Sequence, residues 1–411
     1  MIRRNNKVML LLLSLLIGGI GWIAQVETAQ AASSAIPIDV KARSYILLDK
    51  NSGRVLVEKG ASKRYAPASL TKIMTEYIVL DRIKQGKLSW DDIVRVSKNA
   101  ERIDEAQVYL KAGEKRSIRE LFTAMAVYSA NDAAVALAEH VAGSETKFVA
   151  LMNQQAKKLG LTSSHFTNCT GLPKRSYPDY PDVQGKHVMS AGDVARLTRQ
   201  ILLDHEEVLP IVSHSRYVFR QGETGERMLL NWNRMLPGFA YAYKGLDGFK
   251  TGYTREAGYN FAGSAKQKGF RLVSVVMGTR SKSARFVETK KLLDYGFSRY
   301  QQVEMIHRHQ VVTNHPNAPI KDGESLSVPA ISKEKLTLPI IPEEKRKYRI
   351  QVTFREKLQA PINKGTVVGK AKILYDGKGI PAVKSIDLIA GKSVEKASWW
   401  RLLFRSLFGE D

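Results

Sequence analysis

The sequence predicts an α+β protein: one antiparallel sheet packed against helices, then a small all-β domain and a terminal amphipathic helix. Three observations carry this. Strand-like stretches bounded by turn residues occur near residue 44 and again over 246–278, and the stretch between them reads mainly at helical period. Strands at both ends of a helical middle make one sheet only when the last of them arrives. Beyond residue 303 helical periodicity disappears, and seven of the fourteen prolines lie between Pro316 and Pro381. The 411 residues, 44% hydrophobic and 25% charged, have a globular composition and room for two or three domains at ~150 residues each.

In chain order, Arg3, Arg4 and Lys7 precede an apolar run from Val8 to Ala24, and Ala29-Gln30-Ala31 follows. That order of charge, apolar core and small residues marks residues 1–31 as a signal peptide, cleaved after Ala31 or Ala32. An uncleaved anchor is the alternative, because the core approaches spanning length. Either way the remainder is expected outside the cytoplasm, at the outer face of a bacterial membrane.

A first domain is expected over 34–302. A hairpin opens it, with Tyr45, Leu47 and Asp49 alternating before the turn Lys50-Asn51-Ser52-Gly53 and the strand Val55-Leu56-Val57. Residues 69–84 are apolar on most faces, which marks a buried helix. Further helices are expected over 119–141, 145–158 and 191–203, the last capped by Ser190. Strands return at Leu246–Thr254, Tyr259–Ala265 and Phe270–Gly278, and a helix from about Ser283 to Tyr295 closes the unit.

Residues 304–390 then read as short strands, such as 348–354 and 366–375, making a β-rich domain. Residues 391–411 contain Trp399, Trp400, Phe404 and Phe408 with Arg401 and Arg405 on the opposite side at ~100° per residue. Such a helix is too short and too charged to span a bilayer, and suits the head-group boundary.

Sixty-four Lys and Arg against 40 Asp and Glu give a net charge of +24, so an anionic partner surface is expected. An exported protein rarely meets nucleic acid, which leaves phospholipid or a cell-wall polymer. The single Cys169 allows no internal disulfide, and CxxC is absent. HExxH and GxSxG are absent too, and the eight histidines are scattered without ligand spacing, so neither a metal nor a cofactor is expected.

What remains is serine chemistry with lysine as the base. In Ser69-Leu70-Thr71-Lys72 the serine and lysine share a helix face at i and i+3. Ser69 follows Pro67-Ala68, in a first turn whose free N–H groups favour developing negative charge. Lysine serves as a base only when neutral, and burial near a second cation achieves that. The pattern recurs at 144–147, 332–335 and 393–396, so alone it is weak. Ser129-Ala130-Asn131 adds a hydroxyl and an amide after a helical run. Lys250-Thr251-Gly252 adds a cation and a hydroxyl on a late strand, with a glycine that allows close backbone approach.

With these three elements the chain resembles the penicillin-recognising serine acyltransferases, and among them the low-molecular-mass penicillin-binding proteins that are D-alanyl-D-alanine carboxypeptidases. Residues 168–172 (NCTGL), 187–196 (HVMSAGDVAR), the β domain and the terminal helix share the resemblance. It implies a β-lactamase/DD-peptidase-like fold with a five-stranded sheet. It also implies that Ser69 attacks the carbonyl between two terminal D-alanines of a peptidoglycan stem peptide while Lys72 takes its proton. Ser129 would pass a proton to the leaving D-alanine, Asn131 would bind the acyl amide, and Lys250 and Thr251 would hold the terminal carboxylate. The Ser69 and Tyr253 N–H groups would form the oxyanion hole. β-Lactams would be covalent inhibitors. Tyr253 stands where some relatives have histidine, and Cys169 is expected to be inert packing. The alternatives are a β-lactamase, whose Glu-x-x-Leu-Asn loop is not found between 132 and 249, and a non-catalytic wall-binding scaffold.

Overall fold

The computed structural model describes residues 38–312, 316–381 and 383–408; the expected signal peptide lies outside them. Alternation in SYILLD and VLVEK makes β1 (Ser44–Asp49) and β2 (Val55–Lys59), joined by a turn in which Asp49 accepts from the Ser52 N–H and hydroxyl. The chain then forms a 3₁₀ turn (Ala68–Thr71) that runs straight into α1 (Lys72–Lys84), whose first nine residues are all buried.

Residues 118–142 form two helices, α2 (Ile118–Tyr128) and α3 (Asn131–Ala142), where one over 119–141 was expected. The break falls at Ser129, held at φ +67°. No glycine or proline signals it. It is fixed by tertiary bonds: Asn131 N–H donates to Ala106 O at 2.7 Å, and Asp132 accepts from Val108 and Leu110 N–H. α4 (Glu145–Lys158) and α5 (Ala191–Asp204) follow, and Ser190 caps α5 by accepting from Asp193 N–H at 3.1 Å. A hairpin of 216–219 and 227–230 was not expected from the sequence.

β3 (Leu246–Thr254), β4 (Gly258–Gln267) and β5 (Phe270–Thr279) complete a five-stranded antiparallel sheet in the order β2-β1-β5-β4-β3. One core joins the sheet to α1–α5; another, containing Leu47, Phe261 and Phe286, lies under α6 (Ala284–Arg299). β3 is an edge strand, and the 68–71 turn lies against it.

The remaining chain builds its own core around Val328, Leu338, Val368 and Leu388. β6 (Gln301–Ile306) pairs with β9 (Leu336–Ile340), while β7 (Asn317–Pro319), β8 (Ser327–Ser332), β10 (Tyr348–Phe354), β11 (Val367–Tyr375) and β12 (Ile386–Ala390) form a sheet in the order β7-β8-β12-β11-β10. Arg54 ties the two parts together, donating to Pro339 O with its guanidinium near the rings of Tyr300, Tyr348 and Tyr375. α7 (Trp399–Phe408) ends the described chain. Among the described residues no helix is long and apolar enough to cross a membrane.

Candidate active site

The site forms where the 3₁₀ turn, the α2–α3 break, a loop at 168–172 and the edge strand β3 meet. Ser69 Oγ lies 3.2 Å from Lys72 Nζ, because a tight turn followed by α-helix puts i and i+3 on one side. Lys72 is fully buried, and its Nζ also donates to Asn131 Oδ1 at 2.6 Å and to Thr170 O at 3.0 Å. Both of those oxygens are acceptors only. Asn131 is locked in that orientation by its Nδ2, which donates to Asp104 O at 2.8 Å. A neutral amine has two N–H bonds, so these two acceptors take both and leave the lone pair for the Ser69 hydroxyl. Burial, helped by the charge of Lys250, pushes Lys72 down from 10.5 to about 7.

Ser129 is buried at the positive-φ break, and its Oγ has no hydrogen-bond partner among the described residues. An unsatisfied hydroxyl in a strained position is a marker of function rather than of stability. Lys250 is buried on β3 and donates to Thr251 O at 3.3 Å. Burial and Arg285 push Lys250 down, while Glu76 opposes them. Thr251 is buried on the same strand. Tyr253 turns its ring outward, 48% exposed and stacked on Tyr259 at 4.2 Å.

Gly252 has a role nearer home than substrate approach. A Cβ there would meet Pro67 O at 2.9 Å and Ser69 N at 3.2 Å, so its bare α-carbon lets the 68–71 turn lie on the strand. Asn260 on β4 reinforces this contact by donating to Pro67 O at 3.2 Å.

Several residues escaped the sequence reading. Thr170 and Gly171 lie in the 168–172 loop, where Asn168 Oδ1 accepts from Thr170 and Gly171 N–H, and buried Glu145 accepts from Cys169 N–H at 2.9 Å and Tyr177 OH at 3.0 Å. His187 Nδ1 accepts from Thr167 N–H at 3.0 Å, so Nε2 carries the proton it shares with Thr71 Oγ1 at 2.7 Å; Thr71 in turn donates to Ala68 O at 2.8 Å. This chain supports the turn under Ser69. Burial drives His187 down to about 3, keeping it neutral. Glu76, one turn beyond Lys72, is fully buried with neither carboxylate oxygen hydrogen-bonded among the described residues, and burial pushes it up against the pull of Lys250 and Lys72. Arg285 stands buried beside Tyr259, and burial lowers it to about 10. Of these residues only Thr170, Gly171 and His187 lie in stretches that the sequence singles out, NCTGL and HVMSAGDVAR. Cys169 is fully buried, and burial pushes its thiol up, away from reactivity. Among the described residues no group of three or more His, Cys, Asp or Glu could hold a metal ion.

Residues 27–281 match the D-alanyl-D-alanine carboxypeptidase family (peptidase S11), and residues 300–396 match the C-terminal domain of penicillin-binding protein 5. The chain is 31% identical over 368 residues to D-alanyl-D-alanine carboxypeptidase DacF of Bacillus subtilis, covering 89% of each. It is 34% identical over 381 residues to DacC of Escherichia coli, covering 91% of this chain and 89% of that one. Penicillin-binding protein 5 from Haemophilus influenzae superposes with a TM-score of 0.74 at 31% identity, over 88% of this chain and all of that one. Penicillin-binding protein D2 from Listeria monocytogenes, solved with ampicillin bound, gives 0.55 at 32% identity over 64% of this chain and all of that one.

Proposed function

The chain belongs to the D-alanyl-D-alanine carboxypeptidase family, and from that premise we propose that it releases the terminal D-alanine of peptidoglycan stem peptides through an acyl-enzyme on Ser69. The observation that carries this reading is Lys72: buried, its N–H bonds taken by Asn131 Oδ1 and Thr170 O, 3.2 Å from the Ser69 hydroxyl. In the proposed step neutral Lys72 accepts the Ser69 proton as Oγ attacks the carbonyl between the two D-alanines. The Ser69 and Tyr253 N–H groups receive the oxyanion; losing one such donor costs about 10²-fold. Lys250 and Thr251 hold the terminal carboxylate, and Ser129, its hydroxyl otherwise uncommitted, hands its proton to the departing amine and recovers one from protonated Lys72, which returns the lysine to its neutral form. Asn131 holds the acyl amide, and water then frees the enzyme.

The same site would take β-lactams as covalent inhibitors, a reading supported by the Listeria monocytogenes relative solved with ampicillin bound. We assign residues 34–302 to the catalytic unit, 304–390 to the β-rich domain, 391–411 to an anchor and 1–31 to the signal peptide, which places the enzyme at the outer face of the membrane. The anchor is supported by α7, where Trp399, Trp400, Phe404, Leu407 and Phe408 are 62–70% exposed and Arg405 turns inward to Gly323 O at 2.7 Å. With a net charge of +24, such a face suits an anionic phospholipid surface.

Intact-protein mass spectrometry after benzylpenicillin tests the assignment. The wild type is expected to gain one penicilloyl mass, the Ser69→Ala variant none, and D-alanine release to vanish with it. An adduct retained by Ser69→Ala would remove Ser69 from the mechanism, and rapid penicillin turnover would favour a β-lactamase.

A further inference from the structure

The site fixes a direction along β3. The terminal carboxylate is assigned to Lys250 and Thr251 and the scissile carbonyl to the Tyr253 N–H, so the rest of the peptide must leave past Tyr253, towards residue 255. Because β3 is an edge strand, an extended peptide can run alongside it.

A cleft of about 690 Å³ opens there. It follows one end of the sheet, where β3 ends, β4 begins, β5 ends, β1 begins and β2 ends. Its lining is lopsided in charge: Lys41, Arg43, Lys59, Arg255 and Arg280 against Asp39 alone. Asp39 is 3.8 Å from Lys41, and Arg43 is spent on Glu256 O at 3.0 Å. Among the described residues no carboxylate lies within 4.0 Å of the Arg255 or Arg280 guanidinium. The stacked rings of Tyr253 and Tyr259 also line the cleft, on the side where the peptide enters. Like charges gathered without counter-charges raise the energy of the folded chain, and an anion recovers that energy on binding.

We propose that this cleft is a subsite for a carboxylate carried by the peptide upstream of its terminal D-Ala-D-Ala, so that acidic stems are cleaved in preference to neutral ones. The proposal rests on the carboxypeptidase reading of the same site. Arg255 and Arg280 pair with the upstream carboxylate while Tyr253 supports the intervening chain. None of them touches the reacting atoms through its side chain, so their effect is on the choice of substrate.

Two peptides that differ by one charge test it: Nα-acetyl-L-lysyl-D-Ala-D-Ala bearing either an acetyl or a succinyl group on Nε. The wild type is expected to favour the succinyl peptide by about fivefold in kcat/KM, the scale of partly exposed ion pairs, and to lose the preference at high salt. Arg255→Glu with Arg280→Glu should bring the ratio to one or below and leave the acetyl peptide unaffected. Equal rates on the two peptides in the wild type, or a preference that survives in the double variant, overturn the subsite alone. Release of D-alanine from neither peptide overturns the carboxypeptidase reading and the subsite with it.

Discussion

Gly171→Ala adds one methyl group beneath Ser69, the proposed nucleophile. Gly171 sits at φ +85°, and a Cβ there would lie 1.9 Å from Ala68 O, 2.4 Å from Ala68 C and 2.6 Å from Thr71 Oγ1. Ordinary contact begins at 3.4 Å, so the Ala68 carbonyl must retreat by about 1.5 Å. Ala68 is already held at φ +50° and precedes Ser69 directly. A retreat of that size breaks the 3.2 Å approach of Ser69 Oγ to Lys72, and misplacement by about 1 Å costs about 10²-fold. Strain at positive φ and overpacking together should lower stability by about 2–5 kcal/mol. Gly143→Ala is the control: φ is +80° with nothing within 4 Å of the added carbon, so it should lose about 1–2 kcal/mol and keep its rate. The assay is the second-order rate of acylation by benzylpenicillin, with denaturant midpoints measured in parallel. Acylation of the Gly171 variant within about threefold of wild type would refute the claim that this glycine sets the position of Ser69.

Acylation should rise with pH through a midpoint near 7, because Lys72 acts only after losing its proton. Glu76→Gln removes a carboxyl group one turn from Lys72, about 6 Å away, which burial lifts to about 7 so that it is about half charged at that midpoint. Lys72 and Lys250 should then release protons more readily, moving the pH profile to lower pH by up to about 1 unit at an effective dielectric near 20; an upward shift or none would remove Glu76 from the charge balance. His187 is held neutral down to about 3 in the folded chain, whereas an unfolded histidine gains its proton near ~6.5. The unfolded state therefore binds more protons between those values, so stability should fall as pH drops through that window, and His187→Gln should flatten the fall in denaturant midpoint. In protein lacking residues 1–31, removing 391–411 should abolish binding to anionic vesicles; retained binding would place the lipid contact elsewhere.

Much of the site was legible because its chemistry is local. Ser69 and Lys72 share a helix face at three residues apart, while Ser129 with Asn131 and Lys250 to Tyr253 are short stretches whose residue types stand out along the chain. The break at Ser129 was not read as one: Ser129, Asn131 and Asp132 interrupt the apolar run, but no glycine or proline marks a stop, and the bonds that impose it come from residues 104–110. Gly171, Glu145, His187 and Glu76 were hidden for a similar reason. Each acts on a neighbour distant in sequence or through burial, and neither distance nor burial is a property of a short segment.

By itself the sequence determined the kind of protein: helices between strands of one sheet, a β-rich continuation, a terminal helix apolar along one side, and three short stretches bearing the right functional groups. Only the tertiary structure decided that Lys72 is dry enough to lose its proton, that Gly252 and Gly171 grip the turn under Ser69, and that cations from several strand ends line one cleft. The reason is physical. Periodicity and residue chemistry are written along the chain, while desolvation and contact arise only when distant segments exclude water together.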